Sequence, residues 1–79
     1  MWNQKESPLR IEKRFEFENF QYISKFMALV DELCKAKNIY PNISFGKTFV
    51  SITIFIEEGK SDSLENDFAK NIDIIFEKI

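Results

Sequence analysis

Residues 9–20 read LRIEKRFEFENF, and this stretch decides the fold. Leu9, Ile11, Phe15 and Phe17 share one parity, while Arg10, Glu12, Arg14, Glu16 and Glu18 share the other. A period of two with one charged face predicts a half-buried strand. Lys13 is the one break on its apolar side. At Asn19-Phe20 the period changes. Asn19 is suited to cap a helix, because its side chain accepts an amide of the first turn. Phe20, Ile23, Phe26, Met27, Val30, Leu33 and Cys34 then recur at intervals of three and four, the spacing of one helix face. A strand therefore runs directly into a helix.

Outward from there the same two periods alternate. Glu6-Ser7-Pro8 reads as a turn, with Trp2 to Lys5 as a short first strand. Pro41 bars continuation of the first helix and pushes Tyr40 away from helical angles. Ile43 and Phe45 alternate with Asn42 and Ser44, Gly46-Lys47 is a turn, and Val50, Ile52, Ile54 and Ile56 share a face of a β-branched strand. The opposite face, Phe49, Ser51, Thr53 and Phe55, is semi-apolar. Glu57-Glu58-Gly59-Lys60-Ser61 is a loop, and Asp62 with Glu65 resembles a capping box. Leu64, Phe68, Ile72, Ile75, Phe76 and Ile79 form a second helical stripe. The order is β-β-α-β-β-α. It predicts an α+β, two-layer fold with a mainly antiparallel four-stranded sheet and two helices on one face.

The 79 residues make one domain, 1–79, and a core this small invites oligomerisation. Nine Phe supply large apolar side chains to that core. A net charge of −2, with no basic cluster clear of acidic neighbours, argues against nucleic acid as a partner. The apolar run around Val50 to Ile56 is far short of the ~20 residues of a membrane helix, and no signal peptide is visible. With one cysteine and therefore no internal disulfide, the expectation is a cytoplasmic protein. Histidine is absent. With one Cys and no EF-hand spacing, no metal site is expected, and Cys34 on the apolar helix stripe reads as a buried, inert thiol. The two glycines, Gly46 and Gly59, form no phosphate loop, and no cofactor is expected.

Residue by residue, the chain resembles the pterin-4a-carbinolamine dehydratases, whose animal members also serve as dimerisation cofactors of a homeodomain transcription factor. LRIEKRFEFENF is similar to that family's hydrophobic, basic-x-Phe-x-Phe and acidic-Phe pattern. Phe26-Met27 with Val30 resembles its Phe-Met-x-x-Val, the spacing from Pro41 to Val50 is kept, and Ala69 with Ile72-Asp73 resembles the final helix. The departures fall on the chemistry. The resemblance places a His-His-Pro motif on Ile39, Tyr40 and Pro41, and a third histidine on Glu57. In the family these histidines surround the pterin 4a-hydroxyl and assist loss of water. Imidazole suits that task because it titrates near neutrality. Ile39 carries no proton, Tyr40 has a reference pKa of about 10, and Glu57 acts as an acid only where burial raises its pKa.

Tyr40 and Glu57 are the candidate catalytic pair, and Ile39, Pro41, Ser51 and Phe55 are the candidate pocket residues. Each has a plainer reading beside it. Tyr40 either donates a hydrogen bond into a pocket or closes the helix against the sheet. Glu57, next to Glu58, is either a site acid or part of a solvated loop. The aromatic outer face of the last strand suits a pterin-like ligand or a subunit contact. The resemblance then implies a dehydratase-like protein without the standard activity, acting as a homodimeric or homotetrameric binding and interaction module. The alternatives are a 4a-hydroxytetrahydropterin dehydratase using Tyr40 and Glu57, and a protein-assembly scaffold.

Overall fold

In a computed structural model, residues 2–56 and 63–79 are described. The elements are β1 (Asn3–Lys5), β2 (Arg10–Glu16), α1 (Phe20–Lys37), β3 (Asn42–Phe45), β4 (Phe49–Phe55) and α2 (Ser63–Glu77). The strands form one sheet in the order β1-β2-β4-β3, every pair antiparallel. The β2–β4 register sets Lys13 opposite Ile52, and Ile52 is also opposite Ile43 of β3. The expected β-β-α-β-β-α order and two-layer architecture are present.

The parity of β2 and β4 puts Ile11, Phe15, Val50, Ile52 and Ile54 on one face, where they are buried with Ile23, Phe26 and Val30 of α1 and Phe68, Ala69 and Ile72 of α2. Phe15 anchors an aromatic cluster, with ring centroids 5.1 Å from Phe26 and 5.0 Å from Phe76. Tilted contacts at this spacing add to the area that the rings bury. Large-to-small changes in so compact a cluster leave cavities that a small domain tolerates poorly.

The polar break at Lys13 has a partner on α2. Its Nζ lies 2.7 Å from Asp73 Oδ1, and the Trp2 indole N–H donates to Oδ2 at 3.1 Å. On the other side of the sheet, charges alternate and pair along β2. Arg10 meets Glu12 at 3.2 Å and Arg14 meets Glu16 at 2.8 Å. The Arg14 guanidinium stacks 4.1 Å from the Phe49 ring centroid. This explains how an aromatic side chain is tolerated on the outer face of β4. At the β3–β4 turn the Gly46 N–H donates to the Phe49 carbonyl at 3.0 Å. A Cβ on Gly46 would run into the Phe49 ring, which would have to shift to admit it.

α1 begins as expected. The Asn19 side chain accepts from the backbone of Gln21 at 3.0 Å and of Tyr22 at 3.3 Å. Its end differs from the sequence reading, which assigned the stop to Pro41. The helix ends at Lys37, and Asn38 takes left-handed angles (φ 56, ψ 41) as its C-cap. Asn tolerates that region better than most residues, and the conformation satisfies carbonyls at the helix end. Asn38 and Ile39 therefore lead out of the helix before Pro41 acts, and this brings Ile39, Tyr40 and Pro41 across to the sheet.

Candidate functional site

The link from α1 to β3, the end of β4 and the first turn of α2 converge on one cavity. It has a volume of about 210 Å³ and is lined by Asn38, Ile39, Tyr40, Pro41, Ile54, Phe55 and Glu65. Three of the four candidate pocket residues, Ile39, Pro41 and Phe55, thus meet the candidate catalytic Tyr40. A second hollow of about 210 Å³ lies on the other side of the same short wall, lined by Met27, Asp31, Cys34, Tyr40, Pro41 and Ile43. Tyr40 and Pro41 belong to both. Tyr40 is 69% exposed, so its phenol stands at the mouth rather than sealing helix to sheet.

The other two candidate residues lie elsewhere. Ser51 sits in the middle of β4, opposite Arg14 and Ser44, and lines neither hollow. Glu57 lies outside the described residues, as does Asp62 of the expected capping box. The carboxylate that does line the cavity is Glu65. Its Oε2 is buried and has no hydrogen-bond partner among the described residues. A carboxylate oxygen removed from water without a donor is costly and calls for a function or a ligand. The sequence reading placed Glu65 in a helix cap. The signal that would have found it is its position in the first turn of α2, the turn that follows β4 and its end-residue Phe55.

Cys34 lies at the back of the second hollow and is buried. Burial pushes its thiol above the ordinary range, and the nearby Asp31 charge adds to the shift. It is therefore a thiol at neutral pH, not a nucleophilic thiolate. Among the described residues, no group of three or more His, Cys, Asp or Glu is placed to hold a metal. No helix among them is long and apolar enough to cross a membrane. The chemistry left at the cavity is a phenol that donates, a carboxylate that accepts, and a Phe face that stacks.

No family model matches the chain. The chain is 32% identical over 68 residues to a protein of Methylococcus capsulatus named "Putative pterin-4-alpha-carbinolamine dehydratase". The match takes in 85% of this chain and 58% of that relative, so the chain spans less than two thirds of its length. Among solved structures, it is similar to a pterin dehydratase-like protein identified as a RuBisCO assembly factor in the alpha-carboxysome. The TM-score is 0.82 at 28% identity, over 95% of this chain and 88% of that one. The chain is thus similar to pterin dehydratase-like proteins in sequence and in fold. A transcriptional coactivator/pterin dehydratase from Brucella melitensis shares the fold, with a TM-score of 0.82 at 21% identity over 94% and 80% of the two chains. The cavity is built around Ile39, Tyr40 and Pro41, the positions on which the resemblance places the His-His-Pro motif.

Proposed function

We propose that this pterin dehydratase-like protein does not run the standard dehydration and acts instead as a homo-oligomeric binding and interaction module. The observation that carries the reading is the absence of histidine from the whole chain, with Ile39, Tyr40 and Pro41 lining the cavity. Loss of water from a carbinolamine needs a proton delivered to the leaving hydroxyl and another removed from nitrogen. The groups that do this well titrate near the working pH. An exposed phenol and a carboxylate do not replace three imidazoles. A subunit of the same kind brings no histidine either. The similar RuBisCO assembly factor supports a role in protein association on this scaffold, and a core this small gains from self-association.

The test is the dehydration of 4a-hydroxytetrahydropterin against the uncatalysed background, together with light scattering of the purified protein. The expected result is a background rate and a mass of two or four chains. A protein-dependent rate, or a monomer at micromolar concentration, overturns the corresponding half of the reading.

A second reading, turnover by Tyr40 with a carboxylate, is favoured by one observation, the unpartnered Glu65 oxygen at the cavity. Glu57 was the carboxylate expected from sequence, and it lies outside the described residues. If a rate is found, its loss in Tyr40→Phe with either Glu57→Gln or Glu65→Gln identifies the pair. An unchanged rate in all three variants removes them from the chemistry.

A further inference from the structure

A separate hollow of about 410 Å³ shares no lining residue with the two at Tyr40. It is lined by Glu16, Phe17, Glu18, Tyr22, Phe76, Glu77 and Ile79. Its floor is aromatic and belongs to the core. Phe17 and Phe76 stand edge to face at 5.3 Å, and Phe17 also packs 5.2 Å from the fully buried Phe26. Tyr22, 43% exposed, forms one wall. The rim is acidic. Glu16 is occupied by Arg14 at 2.8 Å, while Glu18 and Glu77 hold no salt bridge among the described residues.

We propose that this hollow docks an arginine-bearing apolar segment of a protein partner, an assignment that rests on the interaction-module reading. The chemistry is complementary in two layers. The aliphatic stem of an arginine, with an apolar neighbour beside it, covers Phe17, Phe76 and Ile79. The planar guanidinium then stacks on an aromatic face and reaches the carboxylates of Glu18 and Glu77. A rigid aromatic floor costs little ordering on binding, as in the aromatic anchor pockets of protein interfaces. An anionic partner is repelled by the same rim. A second copy of this chain is a poor occupant, because its arginines are Arg10 and Arg14. Both already face carboxylates on the outer side of the sheet, and Arg14 also lies over Phe49.

The experiment is an amide-resonance titration of the full chain with the peptide Ac-Leu-Arg-Leu-NH2 and, as control, Ac-Leu-Glu-Leu-NH2. The expected result is saturable shifts at Phe17, Glu18, Tyr22, Phe76 and Glu77 with the arginine peptide alone, weakening as salt is raised. Glu18→Gln with Glu77→Gln, both exposed, should weaken binding roughly fivefold, about what two exposed ion pairs supply. Tyr22→Ala should weaken it further. No saturable shift at millimolar peptide, an equal response to the glutamate peptide, or shifts centred elsewhere overturns the assignment. Concentration-dependent shifts at these residues without peptide place a second copy there, and overturn it too. The dehydration assay reads the other site, so the two proposals fail separately.

Discussion

Lys13 Nζ and Asp73 Oδ1 meet at 2.7 Å between β2 and α2, 60 residues apart in the chain. The pair is half-buried, with side-chain exposures of 20% and 32%. It also gathers in the N-terminal end of the chain, since Asp73 Oδ2 accepts from the Trp2 indole at 3.1 Å. One carboxylate thus ties β2, α2 and the segment before β1 together.

Asp73→Ala strands both donors. The expected loss is about 1–3 kcal/mol, the usual cost of leaving partly buried polar groups unpaired. Lys13→Met in an Asp73→Leu background should recover most of it, because two apolar side chains can replace a buried pair. Urea denaturation checks this through the midpoint at constant slope. A change below about 0.5 kcal/mol for Asp73→Ala would class the contact with ordinary surface pairs.

The two caps of α1 make opposite demands. Asn19→Ala removes an acceptor for Gln21 and Tyr22, and should cost about 1 kcal/mol. Asn38 needs left-handed angles, so Asn38→Gly should be near neutral or stabilising. Asn38→Val should cost roughly 1–2 kcal/mol and loosen the approach of Tyr40 to the cavity. Thermal unfolding of the three variants checks the order. Equal melting temperatures for Asn38→Gly and Asn38→Val would show that this backbone position carries no strain.

Burial raises the Cys34 thiol above its ordinary range in the folded chain, with Asp31 adding to it. The sign follows from proton binding. The folded state holds the proton more tightly than the unfolded state, so this contribution is fully present below the unfolded thiol pKa. It is lost as pH rises from there through the folded value. Stability should therefore decline on the alkaline side more steeply than in Cys34→Ala, as denaturation at a series of pH values would record. An aromatic disulfide reagent at mildly alkaline pH should label the native chain much more slowly than the denatured one. Equal labelling rates would contradict a buried, protonated thiol.

Much of the architecture was legible because periodicity is a local signal. The alternation from Leu9 to Phe17, the stripe from Phe20 to Cys34 and the β-branched run ending at Ile56 each report a face without reference to the rest of the chain. What was not legible depends on contacts distant in sequence. Nothing local marks Asp73 as the partner of Lys13. Asn38 ends the helix through its own backbone angles, and the nearby proline masked it. Ser51 shares parity with Phe55, yet the cavity lies at the strand's end and Ser51 at its centre. Glu65 looked like half of a cap, and only the return of α2 along the sheet brings it beside Ile39 and Tyr40.

Glu65 gives the sharpest separation of function from stability. Its Oε2 is buried at the cavity and has no hydrogen-bond donor among the described residues. Replacing such a group by an apolar one of similar size is often neutral or stabilising, and residues kept for function commonly carry this kind of penalty. Glu65→Leu should therefore raise the melting temperature by several degrees, about the effect of 1 kcal/mol in a domain of this size. A pterin-like ligand, if the cavity takes one, should then bind less tightly, because its N–H donors lose their acceptor. Calorimetry on Glu65→Leu and Glu65→Gln decides between this and the cap reading. A lower melting temperature in both variants would mean that Glu65 is held by the helix end and serves the fold alone.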